Sequence, residues 1–536
     1  MLIWSGGLTS ALLYRSAVHL ATVPDRPDYW RNCVAHTAGS LDSDLLLARL
    51  QQMRQRGGPA RTVGLSDKAI RTFLVSDDSL AVAIDRAFLH YEILADTQPD
   101  LLAMGEVGQC ARVQDGFVNF YPDDQINPYV ALAGSGPWVI TLKGAVVYDC
   151  GGYGMLGFGH APMAILNAMS QPHVMANVMT PSVSHMNFTD RLRREIGHTR
   201  SDSEPFTQFL CLNSGSEAVN VATRLADINA KIVTDPGARH GGKPIRCASL
   251  VSGFHGRTDG PARFTDSTRK KYRTHLASFR DSDTLLAIEP NNIESLETVF
   301  KEAENENLFI QAFFMEPVMG EGDPGLSITP EFYERARELT TQHGALLLVD
   351  SIQAGLRAHG VLSIVDYPGF RHLPPPDMET YSKALNAGQY PLSVLAMSES
   401  AAALYRKGVY GNTMTSNPRA MDVAVEVLDA ITPDMRDNIV LRGNQLVAGL
   451  QDIAKELKDT ITKVQGTGLL LSCELHPRFT CTGAGSTEEY LRMNGLGVIH
   501  GGVNSLRFTP SFFIDEAGVG LILERTRDAL VNGPAN

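Results

Sequence analysis

Residues 344–355 read GALLLVDSIQAG. The run from Ala345 to Val349 is apolar at every position, so no face of this segment is left for water. That pattern predicts a strand buried on both sides, as in the middle of a parallel sheet covered by helices. The run ends in Asp350. A carboxylate at the carboxyl end of such a strand lies where open α/β sheets bind ligands, and once buried it should face a cation or be neutral.

Three further stretches read the same way: FLCLN (209–213), SLVSG (249–253) and LFIQAFFMEPV (308–318). Their alternation with helical patterns predicts an α/β sandwich with a mostly parallel sheet. FLCLN runs into SGSEAVNVATRLA (214–226), where Val221, Leu225 and then Ile228 mark one helix face. Ser214-Gly215-Ser216 therefore opens a helix, and a helix N-terminus is an anion site suited to a phosphate. SLVSGFHGRT (249–258) delivers Phe254, His255 and Arg257 from another strand end. METYSKALNAGQYPLSVL (378–395) places Lys383 between a strand-like segment and a Gly/Tyr/Pro turn.

An amine, a carboxylate, a phosphate cradle and a flat aromatic ring are the parts that hold pyridoxal 5′-phosphate. In their order along residues 137 to 530 these motifs resemble the class III aminotransferases of fold type I. That group contains the ornithine, 4-aminobutyrate and acetylornithine aminotransferases. The resemblance implies a Schiff-base lysine at Lys383, which also shuttles a proton, and a partner for the pyridine nitrogen at Asp350. It implies a hydrogen bond from Gln353 to the ring hydroxyl, a phosphate loop at Gly215 and Ser216, and a stacking ring at Phe254. Thr413, in YGNTMTSNPRA (410–420), matches a threonine that reaches the phosphate of the neighbouring subunit, which implies a homodimer with shared sites. Arg257 matches a carboxylate-binding arginine. Glu321, in EPVMGEGDPG, matches a glutamate that pairs with a late arginine, here Arg507 of LRFTPS, so that the pair gates the substrate pocket.

The chain departs from the family pattern in places. DSIQAGLRAHG has Ser351 where the family carries an acid and Ala354 where it carries threonine. Thr415 and Ser416 stand where glycines are usual, and Arg224-Leu225-Ala226-Asp227 replaces a Lys-Leu-Ala-Arg ending. These departures leave open a second reaction class on the same cofactor: elimination, replacement, decarboxylation or carbon–carbon bond formation through a quinonoid. The leading expectation is amino transfer between an amine or amino acid and a keto acid.

At 536 residues the chain is too long for one small core. The expected division is a helical N-terminal extension (1–118), then 119–200, the N-terminal part of a small domain leading into the large one. The large cofactor-binding domain follows (201–420), then a C-terminal small α+β domain (421–536). Within the extension, Leu80, Ile84, Phe88 and Tyr91 recur at helical spacing behind a cap at Asp78 or Ser79. A net charge of −12 argues against nucleic acid or an anionic membrane as partner. Seven scattered cysteines without a C-x-x-C pair predict reduced thiols and a cytoplasmic protein. No zinc-spaced Cys/His cluster is present, so no metal is expected, and no run approaches the ~20 apolar residues of a membrane helix. The first apolar stretch, interrupted by Arg15, makes a poor signal peptide.

Two loops imitate phosphate binders. Ser5-Gly6-Gly7 resembles the loop of ATP pyrophosphatases, which keeps an ATP-dependent ligase as a remote alternative, but Thr9 occupies the place of the essential Asp. Gly152, Gly154 and Gly157 satisfy G-x-G-x-x-G, yet no Asp or Glu occurs from Phe158 to Thr189 to hold a ribose. That loop reads as a tight, backbone-rich segment near a pocket.

Overall fold

A computed structural model of the protein describes residues 42–175, 179–201, 204–280 and 284–536. The Ser5-Gly6-Gly7 loop lies outside the described residues. Strands β1 (Ala131–Ser135), β2 (Trp138–Thr141) and β3 (Val146–Asp149) form an antiparallel meander, closed by a parallel pairing with Leu496–Gly497. The seven strands that follow build the large sheet: β4 (Gln208–Leu212), β5 (Ile245–Leu250), β6 (Leu285–Ile288), β7 (Phe309–Met315), β8 (Leu346–Asp350), β9 (Met378–Tyr381) and β10 (Ser393–Met397). Their order is β4-β10-β9-β8-β7-β5-β6. β5 to β9 are mutually parallel, whereas β10 is antiparallel to both its neighbours. A third sheet combines β11 (Ile461–Thr467), β12 (Leu470–Leu475), β14 (Ile499–Gly501) and β15 (Ser505–Phe508), with Leu496–Gly497 counted as β13.

The central strands justify the sequence reading: every residue of β7 and β8 is buried. FLCLN differs. β4 is an antiparallel edge strand with only Cys211 and Leu212 buried, because one side of it has no partner strand among the described residues. An apolar run alone does not distinguish an edge with a helix on one face from a central strand.

The described part of the extension is helical: Ser43–Gln55, Asp67–Leu74, Asp78–Thr97, Pro99–Ala103 and Glu106–Gln114. Leu80, Ile84, Phe88 and Tyr91 are buried, facing β1 and β2. The cap of that helix is Asp77, one residue earlier than expected; its Oδ1 accepts from the Ser79 N–H at 2.9 Å, and its Oδ2 accepts from the Trp138 indole at 2.6 Å. A sequence window cannot reveal that second, long-range bond. Lys143, 2% exposed, ties the extension to the β2–β3 turn by donating to the carbonyls of Arg56 (3.1 Å), Gly58 (3.0 Å) and Met104 (2.7 Å). Among the described residues no helix is long and apolar enough to cross a membrane.

Candidate active site

The parallel strands aim their carboxyl ends at one cavity of about 190 Å³, lined by Asp350 of β8 and by the loops after β4, β5, β7, β8 and β9. Asp350 closes β8 and is 4% exposed. Three donors fix its carboxylate: His255 Nδ1 at 3.0 Å, Thr380 Oγ1 at 3.0 Å and the Ile352 N–H at 3.2 Å. Thr380 is available because β9 pairs with β8 in the register Asp350↔Thr380. His255 is itself held, its N–H donating to Thr265 Oγ1 at 3.0 Å and its ring set edge-on to Phe314.

Lys383 follows β9 with φ 48°, a left-handed conformation costly for a residue with a side chain. Its amine donates to Gln353 Oε1. Burial, together with the nearby Arg507 cation, pulls its pKa down to about 8. A neutral amine is the nucleophilic form, so this position activates the lysine.

Ser214 caps the helix Gly215–Thr234, its Oγ accepting from the Glu217 N–H. Ser393 Oγ holds the Ser214 carbonyl at 2.6 Å, fixing the loop that Gly215 and Ser216 continue. Gly256 adopts φ +118°, and a Cβ there would lie 2.6 Å from Ser216 Oγ, so only glycine lets the two loops meet. The first helical turn thus directs unpaired N–H groups at the cavity, a fit for a phosphate.

Glu316 also lines the cavity. It accepts from the N–H groups of Phe254 and Gly320, both at 2.9 Å, and burial raises its pKa to about 7. Its sequence signal matched that of Asp350: LFIQAFFME is an apolar strand ending in an acid. Thr380 gave no such signal, since only the strand register brings it to Asp350.

Of the expected site residues, Gly215, Ser216, Phe254, Glu321, Asp350, Gln353 and Lys383 line this cavity together. Arg257 borders it through Glu321 Oε1 at 3.3 Å and lies between Phe120 and Phe254, 4.7 and 5.0 Å from the ring centroids. Arg507, 2% exposed, donates to the Gly320 carbonyl and sits over Tyr153. The expected Glu321–Arg507 ion pair is therefore replaced by Glu321–Arg257. Arg257 reaches Glu321 from the adjacent β5 loop, while the neighbouring Gly320 carbonyl takes the Arg507 guanidinium. Thr413 is exposed and lies outside the lining of this cavity. Gly154, from the false dinucleotide motif, passes so close to Gln353 that a Cβ would lie 3.0 Å from its Nε2. Ser351, the departure beside Asp350, donates to the buried Glu379, so an acid from the next strand supplies a carboxylate beside position 351.

The cavity contains a lysine with a lowered pKa, a clamped carboxylate and a helix N-terminus. In addition, the buried His255 Nε2, Gln353 Nε2 and Arg507 Nε make no hydrogen bond among the described residues. Buried polar atoms without partners mark a place built for a polar guest. Pyridoxal 5′-phosphate fits this donor set.

The family model described as aminotransferase class-III matches residues 121–530. The acetylornithine aminotransferase of Neisseria meningitidis serogroup B is 29% identical over 415 residues, covering 76% of this chain and 96% of that protein. The acetylornithine/succinyldiaminopimelate aminotransferase of Yersinia pestis is 29% identical over 417 residues, covering 75% and 93%. In fold the chain is similar to the ornithine aminotransferase of Toxoplasma gondii, with a TM-score of 0.65, 23% identity, and coverage of 79% of this chain and 93% of that one. The acetylornithine aminotransferase of Elizabethkingia anophelis gives a TM-score of 0.64 at 23% identity, covering 80% and 99%. The chain belongs to the class-III aminotransferases. Its cofactor is pyridoxal 5′-phosphate, its fold is type I, and its reaction class is amino transfer.

Proposed function

We propose that Lys383 carries this amino transfer, and that the donor is an amino acid with a second, reacting amino group, the acceptor a keto acid. The single observation that carries the reading is the convergence of Lys383, Asp350 and the Ser214–Ser216 helix start on one cavity. When bound, the cofactor's ring supplies an electron sink for the carbanion that forms at the substrate carbon. Asp350 would hold the ring nitrogen protonated, fixed in place by His255 and Thr380. Gly215 and Ser216 would hold the phosphate, Phe254 would stack on the ring, and Gln353 would face the ring hydroxyl. Lys383, neutral for part of the time near pH 8, would attack the cofactor's aldehyde and move the proton at the substrate carbon.

Arg507 and Arg257 supply carboxylate anchors. Glu321 occupies Arg257, while Arg507 is bound only to a carbonyl oxygen among the described residues. An incoming carboxylate would thus meet Arg507 first. The relatives' names, which concern N-acylated ornithine and diaminopimelate, fit a substrate carrying a carboxylate at one end and an amine at the other.

Val174 (79%), Met179 (79%), Val183 (68%) and Met186 (60%) are exposed apolar side chains, which supports a homodimer face; Thr413 would serve the partner's phosphate. Six free cysteines among the described residues support a cytoplasmic setting. The test follows a ¹⁵N-labelled amino group from N-acetylornithine to 2-oxoglutarate by mass spectrometry. Transfer by the parent and none by Lys383→Ala supports the reading. Transfer that survives the substitution overturns the role of Lys383, and label that leaves without reaching any keto acid overturns the proposed donor and acceptor.

A further inference from the structure

A second cleft, of about 350 Å³, shares no lining residue with the cavity that suits the cofactor. Five parts of the chain meet there: residues 73–79 around the turn between helices Asp67–Leu74 and Asp78–Thr97, the β1–β2 turn at Gly136 and Pro137, Tyr148 of β3, Phe158, and residues 511–515. Its walls carry four aromatic rings: Phe73, Tyr148, Phe158 and Phe513. Among the described residues, the charged ones in its lining are Asp77 and Asp515, and no lysine, arginine or histidine lines it.

Both carboxylates are rigidly placed, because each caps a helix. Asp77 accepts from the Ser79 N–H, and Asp515 accepts from the Gly518 N–H at 2.8 Å. Tyr148 is 3% exposed and contributes to the lining; its N–H donates to the Gly495 carbonyl at 2.9 Å, while its phenol makes no hydrogen bond among the described residues. Burial, with Asp515 and Asp77 nearby, holds its phenol well above the usual tyrosine range, so the hydroxyl keeps its proton. A hydroxyl without a protein partner on a cleft-lining residue can donate to a guest.

We propose that this cleft binds an organic cation, an ammonium or guanidinium carrying an apolar substituent, between the aromatic rings and the carboxylates of Asp77 and Asp515. Ring faces attract such a cation, and the carboxylates oppose its charge. The same features disfavour the alternatives: an anion would meet two like charges, and a bare metal ion would compete for carboxylates that already accept from the Ser79 and Gly518 N–H groups and the Trp138 indole. The cleft's lining includes Ser511 and Phe513, which follow β15 (Ser505–Phe508), the strand that carries Arg507.

Benzyltrimethylammonium is the probe, because its quaternary nitrogen cannot condense with the cofactor's aldehyde. Titration calorimetry on the purified, cofactor-loaded protein is expected to show saturable binding at one site per chain. Benzyl alcohol should bind at least about tenfold more weakly, as should the probe to Phe513→Ala and to Asp515→Asn. Phe513 is 60% exposed, and asparagine retains the helix cap, so both variants should match the parent in thermal midpoint and cofactor content. Absence of saturable binding in the parent overturns the proposal. Equal binding by two folded variants, or by benzyl alcohol, overturns it as well.

Discussion

Replacing Asp350 by asparagine changes the site by one charge and almost nothing else. The carboxylate is 4% exposed and takes three hydrogen bonds, from Thr380, Ile352 and His255. An amide of the same shape keeps its oxygen toward Thr380 and the Ile352 N–H. Its NH₂ then faces His255 Nδ1, and His255 can move its proton to Nε2, which has no other partner. What disappears is the anion that, on the proposed placement, would keep the cofactor's ring nitrogen protonated. Removing one partner of a buried charge pair costs about 3–5 kcal/mol, which at about 1.4 kcal/mol per decade is a loss of two to nearly four decades in kcat/KM. The assay is ¹⁵N amino transfer to 2-oxoglutarate, normalised to cofactor released by alkali. Asp350→Glu should recover part of the loss, because it restores the charge with displaced geometry. An asparagine variant within about threefold of the parent at equal cofactor content refutes the reasoning.

Capture of pyridoxal 5′-phosphate by the cofactor-free protein should accelerate with pH through an inflection near the Lys383 value of about 8. At pH 7.5 about a quarter of that amine is neutral, against about a thousandth for an ordinary lysine. Because Arg507 lowers the Lys383 pKa, Arg507→Gln should move the inflection upward; a rate flat from pH 7 to 9 contradicts this. Lys143→Met leaves three carbonyls without their donor and should cost about 2–4 kcal/mol, read as a lower unfolding midpoint and faster proteolysis within residues 43–114. His343 is 5% exposed, stacked on Phe309 and held neutral by burial, with its pKa lowered to about 4. The unfolded chain therefore binds more protons between pH 6.5 and 4, so stability falls across that window by about 3 kcal/mol on acidification. His343→Gln, which still accepts from the Ile310 N–H, should flatten that slope in urea unfolding; an unchanged slope contradicts the assignment.

The cavity's chemistry was legible where it sits on strand ends. β7 and β8 announced themselves as buried, and the acids that close them, Glu316 and Asp350, followed from the same pattern, although only Asp350 was read as functional. Lys383 and the Ser214 helix start were visible because turn residues flank them. What escaped depends on contacts between distant segments. Thr380 reaches Asp350 through strand register. The Asp77 cap is fixed by Trp138, 61 residues away. Glu321 lies within reach of two arginines, and its choice of Arg257 is set by how the β5 and β7 loops pack. FLCLN misled because apolar composition reports burial of side chains, not the direction or centrality of a strand.

Borohydride fixes the cofactor to whichever lysine amine it has joined, and peptide mapping by mass spectrometry then reads the position. With Lys383 at the centre of the site, the adduct is predicted on the peptide containing Lys383, at one per chain, and absent from Lys383→Ala. An adduct on any other lysine of the parent protein, or an adduct of the same yield in Lys383→Ala, would contradict the account.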